Sequence, residues 1–185
     1  MPVTRTRINK LSHSDTILYE IYMLRFTCAR LIREQWENER DAWVYLESFL
    51  VHYRNLVEFF GKPTSKVTGS DIHITNLWGL EGQTAPSWVK AANTKGERLF
   101  ARYEKQDDRI SRYLHHCTTK RIDVKDWQID VMVKEIEPLL ADVEKALKPT
   151  NTLLGQIGAV PILGAHSAST ATGTSTAVVA IPLKP

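Results

Sequence analysis

The sequence predicts an all-α fold: an up-and-down four-helix bundle with a long loop between helices 2 and 3 and a disordered C-terminal tail. Three observations predict it. Apolar residues recur at steps of three and four over several long windows, the signature of a helix with one buried face. Capping and stop residues fall between those windows. After Pro149 the composition turns to Gly, Ala, Ser, Thr and Pro, with Lys184 the only formally charged side chain left. With 185 residues, 43% hydrophobic and 24% charged, the chain is long enough for one domain with a real core.

Residues 1–13 carry Arg5, Arg7 and Lys10 without apolar periodicity and are expected to form a flexible basic arm. The helical domain is expected over residues 14–148. Ser14 or Asp15 can cap the first helix, whose stripe runs through Ile17, Leu18, Ile21, Leu24, Cys28, Leu31 and Ile32 and reaches about Trp36. The charged stretch Glu37–Asp41 then turns or bends the chain. A second stripe, Ala42, Leu46, Phe49, Tyr53, Leu56 and Phe60, stops at Gly61 and Pro63. Joined by a turn, two helices of this length pack antiparallel.

Residues 62–84 hold Gly69, Gly79 and Gly82 around SDIHITNLW and show no sustained period, so they are read as a loop capping the bundle or carrying a function. Pro86 suits the first turn of the third helix, whose pattern continues through Leu99, Phe100, Tyr103, Ile110, Tyr113, Leu114 and Cys117. Asp123 or Asp126 can cap a last helix with the stripe Trp127, Ile129, Val133, Ile136, Leu140, Val143 and Leu147, and Pro138 inside it implies a kink. Residues 149–185 lack the apolar content needed to offset their ordering entropy. Within that tail, Val178, Val179, Ile181 and Leu183 offer a strand or hook to a protein partner.

A net charge of +3 is too small to point to nucleic acid by itself. Cys28 and Cys117, the only cysteines, read as buried free thiols of a reducing compartment, and no CxxC or Cys/His pattern implies zinc. No stretch of about 18 apolar residues suits a membrane span, and the N-terminal arginines are not followed by the apolar run of a signal peptide. A cytoplasmic location is expected, with no membrane association and no cofactor.

The residues that carry chemistry lie on two helices. In DRISRYLHHCTTKR, positions seven apart lie almost above one another, so Arg109, Arg112 and His116 share a ridge flanking the Ile110, Tyr113 and Cys117 stripe. His115 sits about 100° around the helix from His116. A guanidinium offers a planar fork to two phosphate oxygens, and an imidazole titrates near neutrality. In ESFLVHYRNLVEFF, Ser48, His52 and Asn55 form a similar ridge on the second helix, from which His52 or Asn55 could orient the site. The plainer alternative is that His52 hydrogen-bonds Ser48 or Asn55 within its own helix, and that Arg109 and His116 are flank residues whose stems cover the core.

Arg109 with His115 or His116, separated by five or six residues, resembles the Rx4-6H signature of the HEPN superfamily. The order of a helix like ESFLVHYRNLVEFF, a loop and a helix like RISRYLHHCTTKR is similar to uncharacterised bacterial HEPN-like proteins, over residues 15–147. The resemblance implies an all-α, commonly homodimeric domain that acts on or binds RNA or a nucleotide, possessing in its catalytic members a metal-independent endoribonuclease. There His116 would be the general base on a ribose 2′-hydroxyl and Arg109 would stabilise charge on the phosphate. Catalytic members usually place a polar residue after the arginine, whereas Ile110 stands here. That departure favours the alternative, a non-catalytic dimeric helical interaction module. A third arrangement, a metal site from His52, Asp71, His73 and His116, lacks the three- or four-residue helical spacing of paired histidine ligands.

Overall fold

In the computed structural model, residues 11–105, 109–115 and 127–150 are described, with the backbone alone for Glu104, Lys105, Arg109, Arg112 and His115. The fold is all-α, and no strand occurs among the described residues. The helices are α1 (His13–Ile32), α2 (Glu39–Gly61), the short α3 (Leu77–Leu80), α4 (Val89–Phe100), α5 (Arg109–His115) and α6 (Ile129–Ala146).

Helix α1 begins two residues before the expected caps. Ser12 is the N-cap, its hydroxyl accepting from the Asp15 amide at 3.0 Å, which leaves Asp15 in the first turn, where a negative charge suits the helix dipole. The helix also ends four residues short of Trp36. Glu34 adopts a left-handed φ of 51°, and the Gln35 and Glu34 amides return to the carbonyls of Arg30 and Leu31, closing the helix with the double bond that usually needs glycine. Asn38 then caps α2, its side-chain oxygen accepting from the Arg40 and Asp41 amides at 2.9 and 3.3 Å.

Every member of the predicted α2 stripe is buried, with Phe49, Tyr53, Leu56 and Phe60 at 0% exposure. Both flanks of α2 are occupied. On one side Phe26 of α1 meets Tyr45 and Tyr19 meets His52, so the two helices run antiparallel. On the other side Gly61 faces Gly96 of α4, and Tyr53 faces Tyr103 with ring centroids 5.2 Å apart, again antiparallel. A Cβ built on Gly61 would lie 2.0 Å from the Gly96 carbonyl oxygen, and one on Gly96 would lie 2.5 Å from the backbone and Cβ of Phe60. The two glycines therefore let α2 and α4 touch backbone to backbone.

The predicted third helix is divided. Helix α4 runs into a π-helical turn at Ala101–Lys105, and α5 follows, presenting Ile110 and Tyr113, 0% and 4% exposed, to the core. Helix α6 passes through Pro138 without a break in its assignment, although the proline leaves the Lys134 carbonyl without its usual partner. The buried arginine Arg25, 5% exposed, fixes α6 on α1. It reaches Glu137 at 2.5 Å and Glu144 at 2.8 Å, and at the other end of α1, Thr150 donates its amide and hydroxyl to Asp15. Asp15 thus holds Thr150 while Arg25 holds the helix before it, so α6 runs antiparallel to α1. Thr150 belongs to the segment expected to be disordered, yet it is anchored. The arm 1–10, residues 116–126, which include the expected caps Asp123 and Asp126, and the tail from 151 lie outside the described residues. No helix is long and apolar enough to cross a membrane among the described residues.

Candidate functional site

The predicted catalytic pair is placed only in part. Arg109 opens α5, Arg112 and His115 follow on the same helix, and His116 lies outside the described residues. The phase of α5 is set by Ile110 and Tyr113, the latter meeting Trp127 edge-on at 5.7 Å. By helical period, the Arg109 and Arg112 positions fall outside that apolar stripe.

The predicted second ridge is engaged elsewhere. His52, 7% exposed, brings Nδ1 to 2.7 Å from Oε2 of Glu20 on α1, and Asn55 Nδ2 donates to the same oxygen at 3.1 Å. The partner of His52 is thus neither Ser48 nor Asn55 but a carboxylate on the neighbouring helix. These side chains lie on the α1 side of α2, whereas the α4 rod meets α2 through Tyr53, Phe60 and Gly61. His52 and Asn55 are therefore turned toward α1 and away from α4.

Glu20 and Asn55 instead open onto a groove of about 250 Å³ between the first half of α1, the last half of α2 and the loop at residues 70–73. Glu58, Lys62, Asp71 and His73 also line it. The loop is tied down locally: Asp71 Oδ2 accepts from Lys62 Nζ and the Thr68 amide, both at 2.8 Å, and these bonds hold its carboxyl well below the usual range, at about 2. Ile74 donates its amide to the Phe59 carbonyl at 2.9 Å, stitching the loop to α2. His73 is 1% exposed, and burial pushes its imidazole toward the neutral form. Its Nδ1 lies 2.8 Å from the Thr75 hydroxyl and 3.3 Å from the Thr75 amide. Glu58 is held from its own helix by Arg54 at 2.9 Å.

Sequence reasoning missed Glu20, Glu58 and Lys62. Each sits outside an apolar stripe with no motif around it, and Glu20 becomes a site residue only once the antiparallel register of α1 on α2 is known. It also missed the network at the π turn, where Tyr103 donates to Glu135 of α6 at 2.8 Å beside an Arg102–Glu135 ion pair. Burial pushes the Tyr103 hydroxyl up to about 12 and raises that of Tyr53 as well. Among the described residues no group of three or more His, Cys, Asp or Glu side chains is disposed to hold a metal ion, so His52, Asp71 and His73 do not close around one.

Compared with protein-family models, curated proteins and solved structures, the chain matches none of them.

Proposed function

We propose that the chain is a HEPN-like helical module that binds RNA or a nucleotide through the segment opening with α5, with Arg109 and His116 as a metal-independent cleaving pair. The observation that carries the reading is a concentration of charge in the sequence that opens with α5. Residues 109–125 hold Arg109, Arg112, Lys120, Arg121 and Lys125 against a single acid, Asp123, and the segment starts on a helix whose apolar face is fixed by Ile110 and Tyr113. Cations gathered along one element attract a phosphate backbone and release its counterions. In the cleavage step, His116 takes the proton of a ribose 2′-hydroxyl as that oxygen attacks the adjacent phosphorus, the bond from phosphorus to the 5′-oxygen of the next nucleotide breaks to leave a 2′,3′-cyclic phosphate, the departing oxygen takes a proton from water, and Arg109 donates to the phosphate oxygens as their charge grows. The groove beside Glu20 is a poor phosphate site, since Glu20, Glu58 and Asp71 outnumber Lys62 there.

A second reading, a non-catalytic dimeric interaction module, draws on two features. Ile110, directly after Arg109, is fully buried, and His52 and Asn55, the groups available on α2 to orient a catalytic site, are occupied by Glu20. One experiment separates the readings. The purified chain is incubated with single-stranded RNA in EDTA, beside Arg109→Ala and His116→Ala. Cleavage by the parent that both substitutions abolish supports the nuclease, whereas RNA binding without cleavage leaves a binding module. Neither binding nor cleavage sinks the RNA reading and leaves the interaction module, whose homodimer sedimentation would then test.

A further inference from the structure

We propose that the exposed face of α4 docks on the phosphate backbone of an RNA duplex, without reading its bases. The helix is divided into two faces by its own period. Val89, Ala92, Gly96 and Leu99 are buried against α2 and the core. On the opposite side Lys90, Ala91, Thr94, Lys95 and Arg98 are exposed, and they fall within an arc of about 140° around the helix axis. That arc holds three cations and no acid. Glu97, the one acid of α4, stands at its edge, where Asn93 donates to Oε1 at 3.0 Å. Among the described residues no carboxylate forms an ion pair with Lys90, Lys95 or Arg98. Arg102, one turn further on, is paired with Glu135.

The relief of the face suits a large polyanion. Ala91 and Thr94, the two residues among the cations, are short, and the Thr94 hydroxyl turns back to the Lys90 carbonyl at 3.2 Å. The long charged side chains therefore stand above the rest of the face. Cations on such a surface gain by releasing the counterions condensed on a nucleic acid, and the gain scales with the number of phosphates neutralised. Two other polyanions fit less well. A membrane surface holds an amphipathic helix through an inserted apolar face, and the apolar face of α4 is already committed to α2 and the core. A single strand is held largely by aromatic side chains stacking on its bases, and no aromatic residue lies in the exposed arc. Duplex RNA, by contrast, is recognised by shape and by contacts to phosphate and sugar. The choice of RNA rests on the reading of residues 109–125, which follow α4 in the chain; the backbone contact itself does not depend on cleavage there.

Fluorescence anisotropy of a labelled RNA duplex, titrated with the full chain over a series of salt concentrations, tests the proposal. A variant carrying Lys90→Ala, Lys95→Ala and Arg98→Ala is expected to bind at least tenfold more weakly at low salt. Its slope of log affinity against log salt should flatten by about 2–3, close to one for each phosphate contact removed. The three positions are exposed and alanine favours a helix, so the fold persists, as far-UV circular dichroism checks. A control with Arg33→Ala, Arg40→Ala and Lys145→Ala removes the same charge from exposed positions at the ends of α1, α2 and α6, and is expected to retain most of the affinity. The proposal is overturned if the duplex does not bind, if the α4 variant keeps the parental slope, or if the control loses as much. It is also overturned if a DNA duplex of the same sequence binds more tightly. The same holds if the α4 substitutions weaken a single strand, or vesicles containing phosphatidylserine, as much as they weaken the duplex. Arg109→Ala and His116→Ala, read for cleavage of single-stranded RNA in EDTA, report on residues 109–125 separately, so either reading can fail while the other holds.

Discussion

Replacing Gly96 by alanine sets two physical effects of opposite sign against each other. In an exposed helix interior, Gly→Ala stabilises by about 1 kcal/mol, because alanine loses less backbone entropy on folding. At Gly96 the added methyl would sit 2.5 Å from the carbonyl carbon, oxygen and Cβ of Phe60, where ordinary contact begins at 3.4 Å. None of these atoms can move by a change of rotamer, so α4 must withdraw from α2 by about 1 Å, enough to forfeit a quarter to a half of each dispersion contact along the seam. Overpacking of this kind costs typically about 1–3 kcal/mol, and more where backbone is the obstacle. The net expectation is a loss of about 2 kcal/mol, read by far-UV circular dichroism as a fall in Tm of roughly 4–8 °C for a domain of this size. Gly69→Ala is the control, since nothing lies within 4 Å of its built Cβ, and it should leave Tm nearly unchanged. A Gly96→Ala protein as stable as the parent, or more so, would refute the backbone contact between α2 and α4 and with it the placement of α4.

Three further outcomes follow from particular residues. Glu34→Gly should raise stability by about 0.5–1 kcal/mol in urea unfolding, because glycine occupies the left-handed region without the penalty of about 1–2 kcal/mol that a side chain incurs there. The carboxyl of Asp71 is depressed to about 2 by the Lys62 and Thr68 bonds, so its contribution is fully present above the unfolded carboxylate value near 4 and is lost as pH falls through about 2. Asp71→Asn should therefore flatten the pH dependence of stability between pH 4 and pH 2, with no change in its slope at neutral pH. Burial pushes the Cys28 thiol up to about 12, and in a Cys117→Ser background the remaining thiol should react with a disulfide reagent at pH 8 only as fast as the protein unfolds.

The fold was legible where one period carries one buried face. The stripe from Ala42 to Phe60 is buried at every predicted position, because α2 lies between α1 and α4 and its apolar residues have no other place to go. Helix ends were less legible. At Gly61 the helix stops where the glycine stands, with Lys62 as an extended C-cap, but at Glu34 a left-handed closure is made by a residue that carries no stop signal, so the periodic pattern appeared to run on to Trp36. The division of the third rod was equally hidden, since the π turn at Ala101–Lys105 interrupts hydrogen bonding without interrupting the apolar spacing through Leu99, Tyr103 and Ile110. Of the candidate site, the shared ridge of His52 and Asn55 was legible. Their partner was not, because Glu20 lies 32 residues before His52 and only tertiary register brings them together.

That register also bears on where a phosphate can bind. Helix α4 meets α2 with Gly96 at Gly61, and the π turn that follows places Tyr103 at Tyr53, so the rod runs toward the start of α2. The acidic groove lies the other way, from Asn55 to Lys62. The groove is rich in carboxylates while the sequence from 109 to 125 is rich in Arg and Lys, and a single ligand of one charge cannot satisfy both. A phosphate drawn to residues 109–125 is repelled by Glu20, Glu58 and Asp71, and salt would weaken its attraction to the basic residues. Binding to RNA that falls steeply with salt and leaves the amides of Glu20 and Asn55 unshifted would place the contact away from the acidic groove. RNA that shifts the amides of Glu20 and Asn55 would show instead that the phosphate chain enters the acidic groove, and the reading built on residues 109–125 would fall.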